Sequence, residues 1–84
     1  MSGFSHLALI GLGLLGSSVA HAARAHIPGI RITGHDSNTE HCATAARLGL
    51  CDAVCESAVE AVAGADLVIL CVPVGAMGEV AVQI

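Results

Sequence analysis

His6-Leu7-Ala8-Leu9-Ile10-Gly11-Leu12-Gly13-Leu14-Leu15-Gly16-Ser17-Ser18 is the stretch that decides how this chain folds. Five residues suited to a buried strand run into a G-x-G-x-x-G turn, and an Ala-rich segment of helical composition follows. Each glycine of such a turn has its own mechanical task. Gly11 permits the sharp exit from the strand, Gly13 lets a pyrophosphate approach the backbone, and Gly16 lets the helix pack closely on the sheet. The helix opens with unpaired N–H groups and a partial positive charge. Twenty residues after Gly16, at the end of a second apolar run, stands Asp36, where an acid that binds ribose belongs. Strand, turn, helix, strand and acid at these distances point to a dinucleotide site.

Composition narrows what the rest can be. The chain has 84 residues, enough for one small domain, and is 55% hydrophobic with a single aromatic residue, Phe4. Its core must therefore be built from Ala, Val, Leu and Ile, which suits helices packed on a parallel sheet. A net charge of −4 with only three basic residues (Arg24, Arg31, Arg47) argues against nucleic acid or an anionic membrane as partner. There is no lysine, which excludes a Walker-type phosphate loop and Schiff-base chemistry within these residues. The first residues carry no Lys or Arg and three glycines interrupt the apolar run that follows, unlike a secretory signal. The expected location is the cytoplasm.

Taken in order, the chain reads β-α-β-α-β-α-β with the start of a further helix. The expected elements are strand His6–Ile10, a helix from Leu14 to Ala25 stopped by Ile27-Pro28-Gly29, and a strand from Ile30 to His35. Ser37-Asn38-Thr39-Glu40 is patterned as a capping box, with its helix ending at Gly49. A short strand is expected at Ala53–Cys55, and a second capping box, Ser57-Ala58-Val59-Glu60, opens a two-turn helix ending at Gly64. Leu67–Val72 lacks alternation and reads as a strand buried on both faces; Pro73 ends it, and Val74–Ile84 has helical character. Right-handed crossovers then give a parallel sheet of four strands in order 3-2-1-4 with flanking helices, a truncated Rossmann (doubly wound) α/β fold. Residues 1–84 are expected to make up the N-terminal part of such a nucleotide-binding domain, without its later strands.

The candidate cofactor-binding residues are Gly11, Leu12, Gly13, Leu14, Leu15, Gly16 and Asp36, with Val72 and Pro73 at the carboxyl end of the fourth strand. Asp36 also selects the cofactor. Its carboxylate can accept both ribose hydroxyls of NAD, whereas a 2′-phosphate at about 4 Å would meet repulsion on the order of 1–4 kcal/mol. No cation stands at Ser37 or Asn38 to offset it, so NAD is expected over NADP. The four cysteines (Cys42, Cys51, Cys55, Cys71) form no C-x-x-C pair and read as reduced, mostly buried apolar residues. The five histidines (His6, His21, His26, His35, His41) match no metal-ligand spacing and read as structural or surface residues. No catalytic residue is identifiable.

The run Leu9–Ser18 resembles the start of the prephenate/arogenate dehydrogenases, as do Gly34-His35-Asp36-Ser37, Ala46-Arg47-Leu48-Gly49, Ala63–Leu70 and Cys71-Val72-Pro73-Val74. The resemblance covers nearly the whole chain but only the N-terminal portion of such an enzyme. It implies oxidative decarboxylation of prephenate or arogenate in tyrosine biosynthesis, with hydride passing to a nicotinamide, in a homodimer whose catalytic histidine, substrate-binding cations and C-terminal substrate and dimerisation domain lie outside the region matched. Two other classes share much of the pattern. One is a different NAD(P) oxidoreductase, of β-hydroxyacid-dehydrogenase or pyrroline-carboxylate-reductase type. The other is a non-catalytic nucleotide-sensing module.

Overall fold

The computed structural model describes residues 5–71. Strand β1 (His6–Ile10) lies at the centre of the sheet, paired in parallel with β2 (Arg31–His35) on one side and β4 (Leu67–Leu70) on the other. A two-residue strand, β3 (Ala53–Val54), extends β2, so the order is β3-β2-β1-β4, as the sequence predicts. Three helices connect the strands: α1 (Leu14–His26), α2 (Thr39–Leu48) and α3 (Ala58–Val62).

The unbroken apolar run of β1 exists because helices cover both of its faces. Leu7 and Leu9 point to one side, where they pack with Ala20 of α1, Ala45 of α2 and Ile32 of β2. Ile10 points to the other and packs with Ala58 and Ala61 of α3. Leu7, Leu9, Ile10 and Ile32 are all less than 2% exposed or at that limit. Each contributes roughly 1.5–3 kcal/mol by burial. Alanines at the helix contacts (Ala20, Ala45, Ala61) let the helices approach the sheet without large side chains between them.

Several element ends differ from expectation. The cap of α2 is Asn38, not Ser37: its side-chain oxygen accepts the N–H groups of Glu40 (2.8 Å) and His41 (3.3 Å). Asn and Ser are comparable N-caps, and one residue of register decides between them. At the other end Gly49 adopts a left-handed conformation, and the Leu50 N–H bonds Ala45 O at 3.0 Å, a Schellman closure. Ser57 does cap α3 through the Glu60 N–H, but that helix is a single turn of five residues. Strand β4 is not buried on both faces among the described residues. Its Leu67, Ile69 and Leu70 are half-buried and Val68 is 37% exposed, because β4 borders only β1. The expected end of that strand at Val72, the Pro73 turn and the helix Val74–Ile84 lie outside the described residues.

Candidate functional site: the glycine turn and the ends of β2 and β3

The turn after β1 is locked from below. Gly11 has φ +107°, and a Cβ there would collide with the carbonyl of Cys71, at the end of β4. A Cβ on Gly16 would collide with the carbonyl of Gly11. Both positions require glycine for the fold itself, whatever the turn binds. The turn is also stitched to the neighbouring strand, with the Gly11 N–H donating to His35 O at 2.8 Å.

Gly13 differs from both. Its φ of −72° is open to any residue. A Cβ built on it meets only the His41 ring, at 3.4 Å, an ordinary contact. The fold supplies no reason for the missing side chain at this position. What Gly13 leaves is a helix start without a side chain of its own, with the His41 ring beside it.

That start is chemically open too. Asn38 and Ser57 cap α2 and α3 with their side chains, and each of those helices carries a glutamate in its first turn. Helix α1 has Gly13 as N-cap, no side-chain cap and no acid in its first turn. Its first intrahelical bond is Ser17 N–H to Gly13 O, so the amides of Leu14, Leu15 and Gly16 precede the hydrogen-bond ladder. An anion placed over Gly13 supplies what the sequence withholds.

Asp36 follows β2 and reaches back to this turn. Its Oδ2 accepts the Leu12 N–H at 2.6 Å and lies 3.0 Å from His41 Nδ1, while Oδ1 accepts the Asn38 N–H at 2.8 Å. Burial works against ionisation, but the amides of Asn38 and Leu12, together with His41, outweigh it. The carboxyl therefore titrates below the ordinary value of 3.8 and is ionised at neutral pH. Leu12, expected at the cofactor, turns its side chain into the core, 4% exposed, and packs over Gly34. A Cβ on Gly34 would come within 2.8 Å of Leu12 Cδ2 and 2.9 Å of Cys51 Sγ, which explains the glycine in Gly34-His35-Asp36. Leu14 and Leu15, at the mouth of the turn, are 88% and 64% exposed. Val72 and Pro73 lie outside the described residues.

Beside Asp36 a cavity of about 410 Å³ opens at the carboxyl ends of β2 and β3, lined by residues 35–37, Thr39, Cys42 and residues 54–56. It is the size of a small-ligand pocket, and Val54, Cys42 and Cys55 give it an apolar wall. The sequence reading missed this wall. Its signal was available, since residues just past a strand's carboxyl end line the crevice of such sheets. The reading also set His41 aside as structural, and the structure brings it against both Asp36 and Gly13. His6 and His35 are bonded within the fold, to Thr33 Oγ1 and to Cys55 O, and His35 also lines the cavity.

The cysteines are free thiols, each half-buried rather than fully buried. Burial pushes Cys51 up to about 11 and raises Cys55 and Cys71, so these three are neutral and not activated as nucleophiles. Among the described residues no group of His, Cys, Asp and Glu is arranged to hold a metal, and no helix is long and apolar enough to cross a membrane.

Residues 19–84 match the family described as prephenate dehydrogenase, nucleotide-binding domain. The chain belongs to this family. That match contains Asp36 and His41 but begins after the glycine turn. A relative at 47% identity over 81 residues, the cyclohexadienyl dehydrogenase of Zymomonas mobilis, aligns with 96% of the chain. Prephenate dehydrogenase of Bacillus subtilis is 41% identical over 66 residues, 79% of this chain and 18% of that protein. Among solved structures, prephenate dehydrogenase from A. aeolicus in complex with hydroxyphenyl propionate and NAD+ superposes with a TM-score of 0.86. The identity is 28%, over 95% of this chain and 28% of that one. A diketoreductase structure is a more distant likeness, at TM-score 0.62 and 27% identity. The chain spans 28% of the length of the Zymomonas relative. The fold is of Rossmann type, with the strand order the sequence predicts.

Proposed function

We propose that these residues bind NAD for an enzyme that oxidatively decarboxylates prephenate or arogenate. The single observation that carries the binding geometry is the uncapped start of α1, where Gly13 brings no side chain and no acid stands in the first turn. The cofactor's pyrophosphate lies there, against the amides of Leu14, Leu15 and Gly16, with the turn Gly11-Leu12-Gly13 beneath it. The adenosine occupies the cavity past β2 and β3, and Asp36 faces its ribose hydroxyls. An ionised Asp36, with no Arg or Lys in the cavity wall, favours NAD over NADP.

When bound, the cofactor supplies a nicotinamide that takes a hydride as the substrate ring loses carbon dioxide and becomes aromatic. What this chain contributes is position: the amides at the start of α1 orient the pyrophosphate, and Asp36 fixes the ribose. Residues 1–84 form the N-terminal part of the nucleotide domain, and the groups that bind substrate and move its proton belong to the remaining length that the relatives possess. The dehydrogenase is cytoplasmic and dimeric in this reading, with neither nucleic acid nor membrane as partner.

Calorimetric titration of the full-length protein with NAD and NADP, followed by NADH formation with prephenate and with arogenate, tests the proposal. Tighter binding of NAD than NADP and turnover of one of the two substrates are expected. Equal affinity for both cofactors would refute the role given to Asp36, and absence of turnover with both substrates would refute the reaction.

A further inference from the structure

Three observations meet at His41. Its Nδ1 lies 3.0 Å from Asp36 Oδ2, the oxygen that also holds the Leu12 N–H. Its ring is what a Cβ on Gly13 would first touch. Its side chain is 45% exposed against 13% for Asp36, so it covers the carboxylate from the solvent side instead of filling the core. The residue stands in the first turn of α2, where Asn38 holds its backbone N–H and fixes the root of the side chain. The imidazole therefore stands between the acid that meets the ribose and the glycine over which the phosphates pass.

Building on the dinucleotide reading above, we propose that His41 is a specificity-determining residue: with Asp36 it faces the 2′ substituent of the adenosine ribose and sets how strongly the site rejects a 2′-phosphate. With His41 neutral, the pair carries the full negative charge of Asp36 and repels that phosphate. With His41 protonated, the pair is neutral overall, and an imidazolium N–H can donate a charge-assisted bond to a phosphate oxygen. NAD, with a hydroxyl at the same place, gains little from that proton. Discrimination against NADP is therefore lower with His41 protonated than with it neutral.

The other ionisable groups around this rim are few. Glu40 and Cys42 neighbour His41 on α2, His35 ends β2 with its Nδ1 3.0 Å from Cys55 O, and Cys55 and Glu56 lie across the cavity. The glycine turn and the first turn of α1 bring no charged side chain. Asp36 is the group in direct contact, and its ionised state is the reason a proton on His41 changes the sign of what a phosphate meets.

The test is the ratio of dissociation constants, NADP over NAD, for the full-length protein at about pH 5.5, 6.5, 7.5 and 8.5. Wild type is compared with His41→Gln, which keeps a donor but does not titrate. The wild-type ratio is expected to rise about tenfold across this window. The 2′-phosphate has its own ionisation near pH 6, and the His41→Gln series gives the pH dependence that arises without the imidazole, against which wild type is read. A wild-type ratio that does not change with pH, or equal slopes in wild type and His41→Gln, would overturn the proposal. Loss of NAD binding in a folded His41→Gln protein, checked by circular dichroism, would also overturn it, by making His41 a support of the turn. Failure of wild type to bind either cofactor at any pH would instead remove the dinucleotide reading itself, and this role with it.

Discussion

Alanine at Gly13 and alanine at Gly16 are the same chemical change three residues apart, yet the structure predicts opposite consequences. At Gly16 the added methyl collides with the carbonyl of Gly11, backbone that is itself held by His35 O and confined beneath Cys71. Neither side can yield cheaply, and forcing the turn open costs about 1–3 kcal/mol of stability or more. At Gly13 the methyl finds only the His41 ring at 3.4 Å and a φ of −72° that alanine adopts without strain. Two small effects then oppose each other. Alanine is a poorer N-cap than glycine, by up to about 1 kcal/mol, and it restricts the unfolded chain, which returns about 0.4–1 kcal/mol. The net change in stability is near zero. In the proposed cofactor site binding responds differently, because the methyl would stand where the pyrophosphate approaches the α1 amides. Losing one or two charge-assisted bonds of about 1.5–3 kcal/mol weakens NAD binding roughly ten- to a hundredfold or more. Urea unfolding of the full-length variants, paired with calorimetric titration by NAD, separates the two cases. Gly13→Ala should keep its unfolding midpoint and lose affinity; Gly16→Ala should lose stability first. A Gly13→Ala protein that binds NAD as tightly as wild type would show that nothing passes over this glycine, and the pyrophosphate site would be wrong.

Two further outcomes concern stability. Asp36 has a native pKa below its ordinary value, despite burial, through the Asn38 and Leu12 amides; Asp66 has one through the Ser5 N–H, the Ser5 hydroxyl and the His6 N–H. A depressed native pKa means stability that is present above the unfolded value and is lost as pH falls through the native one. Asp36→Asn should therefore flatten the fall in stability below about pH 4, measured by urea unfolding against pH; an acid limb as steep as wild type would refute this. Thr33 is 4% exposed, and its hydroxyl donates to Ala61 O at 2.6 Å and lies 2.8 Å from His6 Nε2. Thr33→Val keeps the shape but strands both partners, and should destabilise by about 1–3 kcal/mol. A loss below about 0.5 kcal/mol would show that water satisfies them.

What the sequence disclosed, and what it withheld, divides along the range of the forces involved. Sheet order, the glycine turn and the Gly49 stop were legible because each is dictated by a residue and its immediate neighbours: an apolar run, a missing Cβ, a left-handed cap. The cap of α2 slipped by one residue, since Ser37 and Asn38 offer similar side-chain acceptors and only the backbone path after Asp36 chooses between them. Two features were out of reach for a deeper reason. The separate tasks of Gly11, Gly13 and Gly16 were read from the motif, but which atoms stand in the way of a Cβ is a fact about what lies opposite each Cα. For Gly11 that neighbour is Cys71, sixty residues away in sequence. The place of His41 is of the same kind. Spacing rules compare a histidine with other histidines along one helix, and by that standard His41 has no partner. Its partner is Asp36, five residues back across a strand-to-helix loop, and the Leu12 amide on the same carboxylate ties that loop to the glycine turn. One carboxylate oxygen thus connects a residue the sequence marked as functional with one it did not. That shared oxygen ties the acid to an imidazole and to the glycine turn at once, and the role proposed for His41 is built on that connection.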